Sequence, residues 1–218
     1  MKHKLMRLAR LALAAVVLSP ASAFIAYQYR ADDDIVSPSE IAANVQTVTG
    51  PTTPTTLLGA TFAATSIIRD GYPAFGLSFE RPKHWRSQTF GDGHTAGSTA
   101  PIAYLSEDEL SDPCAPSTTG ETECGWPIDV VSFNTPLIIW TYGADPAPTP
   151  NTLVGGQPAR VGSAKPGACS EVKAEETIVA AIAKPGGGVF YMQACLSGSE
   201  LEAAEQNVYA MLASVRID

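Results

Sequence analysis

The alternation of apolar and polar positions is sharpest where Phe75, Leu77 and Phe79 interleave with Gly76, Ser78 and Glu80. That period of two predicts a half-buried strand, stopped at Arg81-Pro82. Residues 60–69 predict a strand before it, ended by the turn cluster Asp70-Gly71-Tyr72-Pro73. Apolar runs of strand length follow at 101–105, 128–133 and 137–142, the last two separated by Asn134-Thr135-Pro136. Residues 153–162 enter a strand through Gly155-Gly156-Gln157-Pro158-Ala159. Residues 172–183 and 189–196 read as two strands of a hairpin, joined by Lys184-Pro185-Gly186-Gly187-Gly188.

The period then changes from two to that of a helix. Leu201, Ala204, Val208, Met211, Leu212 and Val215 fall on one helical face, and Ser199 with Glu202 has the spacing of a capping box. These elements predict an α+β domain over 59–218. Its expected form is a mostly antiparallel sheet of about six strands with the C-terminal amphipathic helix on one face. Gly (18) and Pro (17) are more frequent than usual in the 218 residues, in keeping with many turns.

The first thirty residues follow another logic. Lys2, Lys4, Arg7 and Arg10 precede an apolar run from 11 to 18, then Pro20 and Ala21-Ser22-Ala23. This is the layout of an export signal cut after Ala23. Apolarity resumes at Phe24-Ile25-Ala26-Tyr27, so 11–27 also reads as an uncleaved membrane anchor. In that reading the basic residues before it and Asp32-Asp33-Asp34 after it set the orientation. Both readings place the domain outside the cytoplasm, secreted or anchored. Any membrane contact is then confined to 11–27. Residues 31–58, rich in Thr and Pro, read as a tether.

Charge narrows the function classes. The formal net charge is −8, and without the four leader cations 10 basic residues face 22 acidic ones. Such a chain repels phosphate backbones, which argues against nucleic-acid binding. In an oxidising compartment the four cysteines read as structural disulfides. Cys114 and Cys124 flank a loop with no apolar core residues, and their pairing leaves Cys169 with Cys195. Simple hairpin register does not put those two opposite each other, so the bridge is expected to start from the loop at 166–170. No C-x-x-C occurs, and the gaps fit no zinc site.

Catalytic chemistry finds little support, and the sequence calls for no cofactor or metal. Asp92, His94 and Ser98 supply an acid, an imidazole and a hydroxyl on one glycine-rich loop, but the chain has no G-x-S-x-G elbow. Glu107-Asp108-Glu109 with Asp112 fits no EF-hand and reads as a solvated helical turn. Trp85 and Trp126 form a candidate ligand platform, on the condition that they converge at one end of the sheet.

The segment Phe75-Gly76-Leu77-Ser78-Phe79-Glu80-Arg81-Pro82-Lys83-His84-Trp85 resembles the strand, Pro, x-x-Trp opening of PsbP/Mog1-like domains, including secreted actinobacterial lipoproteins of that type. Gly155-Gly156-Gln157-Pro158-Ala159, the hairpin, the helix and Ser214-Val215-Arg216-Ile217 resemble the family's ending. The stretch with Cys114 and Cys124 departs from it, as does the lack of a lipid-anchor cysteine. The resemblance implies an antiparallel sheet flanked by helices and a non-catalytic role in binding a partner or lipid. The function expected is therefore that of an exported or membrane-tethered envelope domain that binds a partner protein or an apolar ligand and is not an enzyme. A small hydrolase using His94 and Asp92, and a structural surface protein, are the alternatives.

Overall fold

A hairpin of β8 (Glu176–Ala183) and β9 (Val189–Leu196) forms the centre of the fold. Ala183 stands opposite Val189, and Gly186, Gly187 and Gly188 all take positive φ in the turn between them. Glycine meets that requirement at little steric cost. The computed structural model describes residues 57, 59–90, 101–113, 125–144, 146, 149–165 and 167–218. The leader and tether, the Asp92–His94 loop, and Cys114 with Cys124 lie outside the described residues.

The hairpin grows on both sides. β5 (Pro136–Gly143) pairs with β9, β4 (Ala103–Ser106) with β5, and β3 (Arg86–Gln88) with β4. On the other side β7 (Gln157–Ala164) pairs with β8, and β6 (Thr152–Val154) with β7. All pairings are antiparallel, and the order is β3-β4-β5-β9-β8-β7-β6. A second sheet has the order β1-β2-β10, from Ile67–Tyr72, Leu77–Pro82 and Arg216–Ile217.

The fold class expected from sequence is therefore corrected. The protein is mostly β, with ten strands in two antiparallel sheets and one α-helix among the described residues. Two features account for the shortfall in strands, and a third moves the end of one. The run 153–162 holds two strands, because Gly155 and Gly156, both at positive φ, fold it back on itself. β3 and β10 have three and two residues, too few for any periodicity to show. Asp70-Gly71-Tyr72 continues β1, and the turn falls after it.

The main core lies between the two sheets. Leu77 and Phe79 of the small sheet join Ile138, Trp140, Ile178, Phe190 and Met192 of the large one. The Phe79 and Trp140 rings stack at 5.1 Å. The helix α1 (Leu201–Ala213) adds Val208, Met211 and Leu212 to this core. Its start differs from expectation. The N-cap is Glu200 and no side chain caps it, so Ser199 and Glu202 form no capping box. The Glu200 N–H instead donates to Asn134 Oδ1 at 3.0 Å, a cap supplied from across the fold.

The opposite face of the large sheet is covered too. Tyr104, Leu137, Ile139 and Cys195 are buried there with Leu110, Val131 and Val172 from loops. Central strands covered on both faces carry few polar residues, so β5, β8 and β9 appear in the sequence as near-continuous apolar runs. The Cys169–Cys195 disulfide lies on this face. Cys169 sits in a 3-10 turn (Gly167–Ser170) that approaches β9 from outside the hairpin, with Cα atoms 5.5 Å apart. Cys195 itself is registered opposite Thr177.

Candidate functional site

Antiparallel topology gathers four described segments at one end of the large sheet. Ser106 of β4 faces Leu137, Pro136 of β5 faces Leu196, and Glu176 of β8 also faces Leu196. The segments 107–113, 125–135, 167–175 and 197–200 therefore leave or enter the sheet at this end.

Residues 128–133 are not the strand their apolar character predicts. They form a loop tied to each of its neighbours. Val131 N–H donates to Val172 O at 2.9 Å, and Asn134 N–H to Ser197 O at 2.9 Å. Asp108 Oδ2 accepts from Ser132 N–H at 3.2 Å and from the Thr135 hydroxyl at 2.9 Å. Asp108 thus serves as a brace, in a bend rather than a helical turn. Asn134 takes φ 65°, a left-handed conformation that asparagine tolerates better than most residues. Gly198 is needed beside it. A Cβ there would come within 2.5 Å of the Asn134 backbone nitrogen, and its φ is +110°.

The braced loop turns Val131 inward and Val130 and Phe133 outward. Phe133 is 68% exposed and Val130 41%. Leu153, the other exposed large hydrophobic among the described residues, is on β6 at the far edge of the sheet. This end of the sheet carries more acidic than basic residues, with Asp108, Asp129, Glu171, Glu175 and Glu200 among the acids and Arg86, Lys165 and Lys173 among the bases. Glu175 Oε1 accepts from Gly198 N–H at 3.4 Å, and Glu171 Oε2 from Trp126 Nε1–H at 2.8 Å. The result is an apolar tip on a hydrogen-bonded loop, at an end of the sheet that is acidic on balance. On the loop-covered face, burial raises the ionisation of the Tyr104 hydroxyl well above its usual range, and Asp112 adds to the effect. Tyr104 is therefore neutral packing against Phe90, with ring centroids 5.4 Å apart.

Trp85 and Trp126 are not brought together. Trp85 is 1% exposed in the main core on the α1 side. Trp126 packs on the loop-covered face. The sheet lies between them, so the condition for a shared platform is not met. Cys169 and Cys195 are both fully buried, with the Gln193 amide Nε2 3.3 Å from Cys169 Sγ. Among the described residues no group of three or more His, Cys, Asp or Glu is placed to hold a metal ion. No helix among them is long and apolar enough to cross a membrane.

Sequence reasoning missed Phe133 and Val130, because an isolated apolar run of six residues reads equally as strand or loop. No protein-family model matches this chain, and no curated protein matches it.

Proposed function

We propose that this chain is an exported, non-catalytic binding domain whose loop end docks a partner protein. The partner's contact surface is an apolar pocket rimmed by lysine or arginine. The observation that carries the reading is Phe133, an exposed aromatic on a loop braced from three sides, at an end of the sheet that is acidic on balance. Exposed aromatics on rigid supports are favoured binding anchors, because little conformational entropy is lost when they are buried. Burying the exposed part of Phe133 is worth about 2–3 kcal/mol. The excess of acidic residues at this end adds selectivity, since it repels anionic lipid and nucleic acid and attracts a basic protein surface. The Cys169–Cys195 disulfide supports an oxidising compartment. The likeness to PsbP/Mog1-like domains supports a binding role by analogy.

A photo-crosslinking residue placed at 133 in the full chain, in the cells that make it, tests the proposal. Leu153 serves as the exposed apolar control on the far edge. The expected result is one discrete protein adduct from position 133 that is absent from 153 and weakened by added salt. Equal labelling at both positions, adducts with lipid, or no adduct at 133 refutes it.

A further inference from the structure

Gln193 alternates with Tyr191 and Cys195 along β9, so its side chain lies on the loop-covered face with the disulfide. It is fully buried. Its amide Nε2 lies 3.3 Å from Cys169 Sγ and 3.9 Å from Cys195 Sγ, so both sulfurs accept from one amide group. The amide Oε1 is buried as well, and among the described residues nothing donates to it. A buried acceptor without a donor is costly. Neither sulfur of the bridge can be that donor, because neither holds a proton. Reduction improves both contacts. A thiol can donate to Oε1, and a thiolate accepts from Nε2 more strongly than a bridge sulfur does.

The bridge also supports the loop that carries Phe133. Cys169 lies in a surface turn whose neighbours Gly167, Ser170 and Glu171 are exposed, so opening of that turn brings the bond to a reductant. Ala174 N–H donates to Cys169 O at 3.1 Å, and Val131 N–H to Val172 O at 2.9 Å. Val131, Val172 and Ala174 are buried in one cluster with both cysteines. Hydrogen bonds from Cys169 N–H to Thr177 Oγ1 at 3.2 Å and from Glu175 N–H to Leu196 O at 2.8 Å add to the hold of this segment on the sheet.

We propose that the Cys169–Cys195 bridge is a redox-operated clasp on the Phe133 loop, opened by a dithiol, and that Gln193 is the positioning residue that eases its reduction. A thiolate of the reductant attacks one sulfur, the S–S bond breaks, and the other sulfur leaves as a thiolate beside the Gln193 amide. The reductant's second thiol gives up its proton, attacks the mixed disulfide and closes the reductant's own disulfide. The protein gains two electrons and two protons, and the reductant loses them. Without the covalent tie the turn at Cys169 opens more often and withdraws Val172 from Val131. That this weakens docking rests on the partner-binding reading above.

Equilibration of the full chain with reduced and oxidised dithiothreitol, followed by alkylation and peptide mass spectrometry, reads the midpoint of this bond. Gln193→Leu should make reduction about tenfold less favourable, a midpoint about 30 mV more negative. Gln193→Met serves in its place where leucine does not pack. An unchanged or less negative midpoint overturns the role of Gln193. Amide exchange of the wild type, oxidised and reduced, needs no variant. On reduction, protection of the Val131 N–H should fall by about tenfold or more, with the β8–β9 hairpin still better protected than the loop. Unchanged protection at Val131, or equal protection of loop and hairpin after reduction, overturns the clasp. Neither readout involves a partner, so a failed crosslink at 133 overturns the docking reading and leaves the clasp standing.

Discussion

Replacing Cys169 and Cys195 together by alanine should cost a large share of the stability of this domain. The bridge spans a sequence separation of 26. For a loop of that length the chain-entropy relation gives about 3.5 kcal/mol at 25 °C. Both sulfurs are fully buried beside Val172 and Ala174. Truncation leaves two voids near methyl size, at roughly 1 kcal/mol each. The total, about 5 kcal/mol, compares with a usual domain stability of about 5–15 kcal/mol. At about 2–4 °C per kcal/mol for a chain of this size, the melting temperature should drop by roughly 10–20 °C. Urea unfolding followed by tryptophan fluorescence measures the loss directly. The burial also has a kinetic consequence: dithiothreitol should reduce this bond in the native protein only as fast as the structure opens. A double variant whose urea-derived stability falls by less than about 1 kcal/mol would refute the entropy and packing argument together.

Asp70→Ala should cost about 3–5 kcal/mol in urea unfolding, because it strands the nearly buried Arg81, whose Nε lies 2.5 Å from Asp70 Oδ2. Adding Arg81→Met should recover part of that loss, and a double-mutant cycle checks the coupling. Leu212→Ala, at a fully buried position in α1, should destabilise by about 2–5 kcal/mol in the same assay. Gly198→Ala should lower the melting temperature by an amount equivalent to more than about 1 kcal/mol, because the new Cβ meets Asn134 in a backbone conformation that alanine resists. Phe133→Ser should leave thermal stability within about 0.5 kcal/mol of wild type, since the ring is mostly in solvent. Paired with the crosslinking measurement, it separates binding from folding.

Much of the central sheet was legible in the sequence. The hairpin across Gly186–Gly188 was readable because five turn residues separate two long apolar runs, and β9 has the bounds read from those runs. The pairing of Cys169 with Cys195, reached by elimination, is present in the structure, as is its approach from outside the hairpin. The helical face of α1 was also readable, since Val208, Met211 and Leu212 recur with helical spacing. The start of α1 was not, because Asn134, 66 residues away, supplies the cap that a local box was expected to supply. The candidate site was largely hidden for the same reason. Phe133, Asp108, Glu175 and Glu200 sit far apart in the chain, and only antiparallel return of β4, β5, β8 and β9 puts their loops at one end.

Local pattern alone therefore determined where long apolar strands and the helix form, because side-chain periodicity needs only near neighbours. The division into two sheets depended on pairings between distant segments, some only two or three residues long. Which apolar residues face solvent was likewise a tertiary outcome: Val131 and Phe133 look alike in sequence, and hydrogen bonds to Val172, Ser197 and Asp108 decide which one is buried.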